Sequence, residues 1–298
     1  MLAGRAGSLG YYVAGQGRPM LLVHSINAAG SAYEVKPIFE HAIQSHRVHA
    51  LDLPGFGGSD RSERRYEPAL YVAAIHDILD AIEAESGPEP IDVLAISLSS
   101  EFVARAATQR PASVRTLAMV TPTGFSRSYA APPSTSAATR EVPGLYRFFT
   151  FPLWSQAIYD LLVSRRSIRY FLERTFGSKA IDEGLLEYDY LTAHQPGAKN
   201  APYAFVSGRL FSRDIPSVYQ QLEMPVWVPH ATRGDFKDFS AAGWTKARPN
   251  WLLQPYDTGA LPHFEQPQQF LADYDRFLRA APAAQPSSGP SEPRSPSP

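Results

Sequence analysis

Ser97 stands between two stretches of different character, and that contrast gives its hydroxyl a possible chemistry. Residues 91–96 (Ile-Asp-Val-Leu-Ala-Ile) are short and almost wholly apolar, which predicts a strand. Leu98, Phe102, Val103 and Ala106 recur at helical spacing, which predicts a helix over 98–109. A serine on so sharp a strand-to-helix turn holds its hydroxyl above the sheet edge, with the helix N-terminus behind it to stabilise negative charge. The turn needs small residues two before and two after the serine, and Ala95 and Ser99 are small. The plainer alternative is that Ser97 only caps the helix that follows.

The elements that must position Ser97 are legible on both sides of it. Residues 9–14 predict an edge strand. Residues 20–24 are apolar up to His24, as in a strand covered on both faces of a parallel sheet. A loop of small residues, 24–30, then leads into a helix over 31–43. Residues 47–53 predict another strand, ending in the Gly-rich turn 52–60. An amphipathic helix over 68–85 (Leu70, Val72, Ile75, Ile78, Leu79, Ile82) precedes the Ser97 strand, and 115–120 predict one more buried strand. This alternation implies an α/β protein with a mostly parallel, doubly wound sheet and right-handed crossovers. It stops over 121–214, where helices are predicted at 145–149, 155–164, 168–176 and 181–194, and resumes at 225–230 and 251–256. The helical stretch is rich in aromatic residues. Rings at helical spacing ordinarily form such a segment's own core. A subset facing Ser97, Phe125 and Trp154 among them, would make an apolar pocket together with His24 and Asn27.

Composition excludes several classes. A net charge of −1 over 298 residues offers no electrostatic attraction for nucleic acid or an anionic membrane. With no cysteine there is no disulfide framework, thiol nucleophile or thiolate metal site. No apolar run reaches membrane-spanning length and the first residues lack a signal-peptide core, so a cytoplasmic protein is expected, monomeric or homodimeric. No Gly-rich phosphate loop follows the first strand and no His/carboxylate cluster has ligand spacing, so neither cofactor nor metal is expected. The Pro-, Ser- and Gly-rich residues 282–298 predict a disordered tail.

The D-x-P-G-x-G-x-S turn at 52–59, the His24 loop and the strand–serine–helix at Ser97 stand in an order and spacing that resemble the α/β-hydrolase fold. The resemblance spans roughly residues 9–280. It implies core segments at 1–120 and 215–281 with a helical cap inserted at 121–214. It also implies a serine hydrolase for a small, largely apolar ester, lactone or related acyl substrate. Ser97 would be the nucleophile, and the backbone N–H groups of Leu98 and Ile26 the oxyanion hole. The acid falls at Asp235, with Asp238 and Asp214 as competitors; an Asx turn or helix cap is the plainer role for such an aspartate.

The chain departs from the family pattern where the base belongs, directly after Gly259: that position is Ala260. Three readings follow. His263, the only histidine after Asp235, takes over as base; or hydrolytic chemistry has been lost and the scaffold serves a cyclase, lyase or ligand-binding module; or Ala260 is a replacement made to trap a ligand.

Overall fold

The computed structural model describes residues 1–129 and 138–282. Its apolar runs become strands because each can be covered on both faces. They are β3 (Tyr11–Ala14), β4 (Arg18–Val23), β5 (His46–Leu51), β6 (Ile91–Ile96), β7 (Val114–Val120), β8 (Val226–Ala231) and β9 (Trp251–Tyr256), preceded by a separate antiparallel pair, β1 (Leu2–Gly4) and β2 (Gly7–Leu9). The seven strands run in the order β3-β5-β4-β6-β7-β8-β9, with β3 antiparallel to β5 and every other pairing parallel. This is the expected doubly wound α/β architecture.

The helices are α1 (Lys36–Ala42), α2 (Pro68–Ser86), α3 (Ser99–Gln109), α4 (Leu145–Phe149), α5 (Ser155–Leu162), α6 (Arg165–Phe176), α7 (Glu183–Ala193), α8 (Asn200–Val206), α9 (Ile215–Tyr219), α10 (Pro262–Glu265) and α11 (Pro267–Ala280). One face of the sheet packs on α2 and α3 through Val93, Ile75 and Phe102. The other packs on α1 and α11, where the buried Trp227 of β8 stacks on Tyr274 and meets Phe270. Removing a side chain of that size from water contributes roughly 2–3 kcal/mol, so both faces anchor β6 at the sheet's middle.

The structure corrects the expected strand over 9–14. The chain breaks at Gly10, where a Cβ would stand 2.9 Å from the carbonyl carbon of Gly58, and only Tyr11–Ala14 pairs with β5. The β1–β2 pair, α8 and α9 lie outside the sequence expectations. Helix α7 starts at Glu183 because the Asp182 carboxylate accepts a hydrogen bond from Leu185 N–H at 2.6 Å. Apart from Pro282, the expected tail lies outside the described residues, and no helix among those described is long and apolar enough to cross a membrane.

Candidate active site

Ser97 is held at φ 54°. The left-handed region costs a non-glycine residue roughly 1–2 kcal/mol, and here the surroundings impose it. Ser97 N–H still bonds Val120 C=O at 2.9 Å, continuing the β6–β7 ladder for one residue before the chain turns into α3. Ala95 is fully buried beneath the turn, and Ser99 Oγ donates to His24 C=O at 2.5 Å, tying the start of α3 to the neighbouring loop. Thus Ala95 and Ser99 suit the turn, and Ser99 adds a tether a glycine lacks. The helix-cap alternative is set aside: the N-cap residue of α3 is Leu98, and Ser97 Oγ makes no hydrogen bond among the described residues. Thr121, at the end of β7, is also left-handed at φ 44°, with its hydroxyl buried and unpartnered.

The loop after β4 is organised by Glu34, a buried residue that sequence reasoning missed. Its carboxylate accepts from Ser25 N–H at 2.7 Å, Ser25 Oγ at 3.0 Å and Asn27 Nδ2 at 2.8 Å. These bonds hold the segment from Ser25 to Asn27 while leaving Ile26 N–H without a partner among the described residues, and Leu98 N–H likewise lacks one. Free backbone N–H groups beside a serine are the donors that bind an oxyanion. His24, expected in the pocket, is instead a tie within the fold. It is fully buried, its Nε2 accepts from Leu53 N–H at 3.0 Å, and Nδ1–H therefore donates to Ser25 C=O at 2.5 Å.

The expected relay of Ser97, His263 and Asp235 is not assembled in this conformation. His263, on α10, is fully buried and donates from Nε2 to Glu34 C=O at 2.7 Å, which leaves Nδ1 buried and unpartnered. Its ring packs near Phe264 and Phe270. Burial pushes its pKa down to about 4, against the smaller opposing effect of the Glu34 bond. Asp235 is exposed and pairs with Arg174 of α6 at 2.5 Å. The two competing acids are also occupied. Asp238 accepts from Ser240 and from Arg127 N–H, as an Asx turn does, and Asp214 binds Arg105 through both oxygens.

Helix α6 closes over the usual base position. Ala260 is buried, and its N–H donates to Thr175 C=O at 2.7 Å. The contact is so close that a Cβ on Gly259 would collide with the Thr175 and Phe176 backbone. On the neighbouring loop, a Cβ on Gly177 would lie 2.8 Å from Gly234 N, and one on Gly234 2.8 Å from Arg174 O. Glu265 joins the two loops, accepting from Gly259 N–H at 2.6 Å and from Arg233 Nη2 at 2.5 Å.

Between the inserted helices and the Asn27–Ala29 loop lies a cavity of about 410 Å³, whose walls include Asn27, Phe171, Phe205, Asp189 and Asp235. Asn27 is thus one of its lining residues, while Ser97 is not. Phe125 does not line this cavity; it is buried in a stack with Tyr219, Phe239 and Trp244. Trp154 does not either, because its indole N–H donates to Phe148 C=O and its ring lies against Phe151.

Two further acids escaped the sequence reading. Glu101 is buried on α3, accepting from Thr123 Oγ1 at 2.6 Å and Ser212 N–H at 2.9 Å, and burial pushes its pKa up to about 7. Asp189 had a visible signal: it shares the buried face of α7 with Leu185, Leu186 and Ala193, an acid on an apolar helical stripe.

A mostly parallel sheet wound by helices on both faces, with a left-handed serine between a central strand and its helix, defines the α/β-hydrolase fold. A family model described as alpha/beta hydrolase fold matches residues 18–169, more than half of the chain, and the protein belongs to that family. No curated protein sequence matches it. Among solved structures it is similar to an esterase from Exiguobacterium antarcticum (13% identity, 94% of this chain and 98% of that one, TM-score 0.72). It is also similar to a serine hydrolase involved in carbazole degradation (15%, 94% and 98%, TM-score 0.69) and to a meta-cleavage product hydrolase from Pseudomonas fluorescens IP01 (17%, 93% and 96%, TM-score 0.69).

Proposed function

We propose that the protein is a serine-type hydrolase acting on a small, largely apolar ester, lactone or related acyl substrate beneath its inserted helices. One observation carries this reading: Ser97 is held in a strained left-handed turn, and neither its hydroxyl nor the N–H groups of Leu98 and Ile26 have a partner among the described residues. Strain of this kind persists where the surrounding structure enforces it, and it clusters at functional sites. In the proposed reaction Ser97 Oγ attacks the carbonyl carbon, the two N–H groups hold the oxyanion, and the leaving group departs with the serine proton. Water then releases the acid and restores the hydroxyl. Hydrolase and esterase chemistry in the structurally similar proteins supports the reading.

Ser97 has no base in the conformation described. His263 and Asp235 can take the base and acid roles only if they leave Glu34 and Arg174, so turnover is expected to be slow while both bonds persist. A second reading, a non-hydrolytic cyclase, lyase or ligand-binding protein, is favoured by the same sealed loop, where neither Ala260 nor His263 offers an imidazole to Ser97.

Intact mass after exposure to a fluorophosphonate separates the two. The hydrolase reading expects one adduct on the parent protein, lost in Ser97→Ala and, if the base has moved, in His263→Ala. An unlabelled parent protein that becomes labelled in Ala260→His would overturn it in favour of the second.

A further inference from the structure

The cavity beneath the inserted helices contains one polar feature that neither the fold nor the serine explains. Asp189 is 3% exposed, its carboxyl makes no hydrogen bond among the described residues, and its Oδ1 is buried without a partner. It is one of the residues that line a cavity walled largely by apolar groups, among them Leu162, Ile168, Phe171, Phe205 and Phe236. Buried polar groups are normally paired, and an unpaired one calls for an explanation.

Most other polar groups of the wall, the Thr175 hydroxyl apart, are already committed. Asn27 bonds Ser25, Glu34 and Ala29 N–H; Tyr170 OH accepts from Arg174, and Arg174 and Asp235 neutralise each other. Of the lining residues, only Asp189 has a buried side-chain polar atom left unpaired.

We propose that this cavity binds an uncharged, largely apolar molecule bearing one oxygen acceptor, a carbonyl or hydroxyl, and that Asp189 recognises that oxygen. Desolvation, reinforced by the charge of Glu34, pushes the Asp189 pKa well up and so favours the neutral carboxyl, which can donate its proton in a hydrogen bond. An ionic ligand would lose its hydration with no free counter-charge in the wall. The volume sets the size: an apolar cavity of about 150 Å³ takes one benzene ring, so about 410 Å³ accommodates two rings with a short substituent. The inference does not depend on Ser97, which is not among the residues lining this cavity.

Titration calorimetry of the wild type and of Ser97→Ala tests it with four probes: acetylnaphthalene, isopropylnaphthalene as its oxygen-free isostere, naphthoate and naphthylmethylammonium. The ketone should bind one molecule per chain, about ten-fold tighter than the hydrocarbon, the worth of one neutral hydrogen bond. Both ions should bind more weakly than either. The preference for the ketone should disappear in Asp189→Leu and survive in Asp189→Asn, with thermal unfolding showing that each variant folds. Equal binding of ketone and hydrocarbon, tightest binding of the ammonium ion, or no binding of any probe to the wild type would each overturn the proposal, whatever the variants do. Because Ser97→Ala should bind the ketone as the wild type does, failure here is distinct from failure of the fluorophosphonate test.

Discussion

The turn after β6 and the loop after β9 meet at the same edge of one sheet, yet they are built to opposite ends. At Ser97 the backbone is strained, and among the described residues its hydroxyl and the N–H groups of Leu98 and Ile26 have no partner. Around Ala260 the backbone and the imidazole are held: Ala260 N–H by Thr175, Gly259 N–H by Glu265, and His263 Nε2 by Glu34, with Nδ1 buried. The part of the site made from backbone is kept open, while the part that needs side-chain chemistry holds the inserted helices in place. Membership of the family thus says more about the first region than about the second.

The largest effect should come from His263, through pH. Its folded-state pKa of about 4 lies below the 6.5 of an exposed ring. Between those values the unfolded chain binds a proton that the folded chain does not, so stability should rise with pH across that window and fall on acidification. The whole difference corresponds to about 3 kcal/mol. Glu101 acts in the opposite sense, its pKa of about 7 lying above the usual carboxylate value of 4.5. The quantity to follow is therefore the difference in urea-unfolding free energy between wild type and His263→Gln from pH 4 to 7. A difference that does not change with pH would mean that the imidazole is not locked away as described.

A smaller effect should come from the seal itself. Gly259→Ala places a Cβ against the backbone of α6 and should cost roughly 1–3 kcal/mol by overpacking, read from the same denaturant titrations. If the variant is as stable as the parent, α6 is not seated on the loop and the contrast between the two regions collapses. The smallest effect belongs to the open region. Ser97→Gly relieves a left-handed serine, so it should stabilise by up to about 1 kcal/mol once glycine's greater unfolded-state entropy is set against the strain. A loss of stability would show that the turn is not under strain.

Much of this was readable in the chain because short-range pattern determines it. The apolar runs became the sheet, and small residues flanking Ser97 permitted the turn. Where the pattern misled, distant packing decided. Gly10 breaks the first predicted strand because Gly58 approaches it, 48 residues on in the chain. His263 and Asp235 stand at plausible places in sequence, but their partners come from Glu34, in the turn before α1, and from α6, whose docking no local pattern reveals. Phe125 and Trp154 illustrate the same limit: a ring is visible in sequence, but the side of the helix–sheet boundary it joins is not. Asp189 was within reach, since an acid repeating in step with Leu185 and Ala193 violates the stripe it sits on.

The three glycine contacts that seat α6 also have a mechanical consequence. Gly177 and Gly234 fasten the helix to the loop after β8, while Gly259 fastens the same turn to the loop after β9. One rigid lever therefore bears on both loops, and neither can be displaced alone. A shift of α6 that released Asp235 would carry the loop after β9 with it, making any rearrangement of this edge a concerted event. It also means that these helices could not be exchanged for those of another protein of this fold unless all three glycines travelled with them.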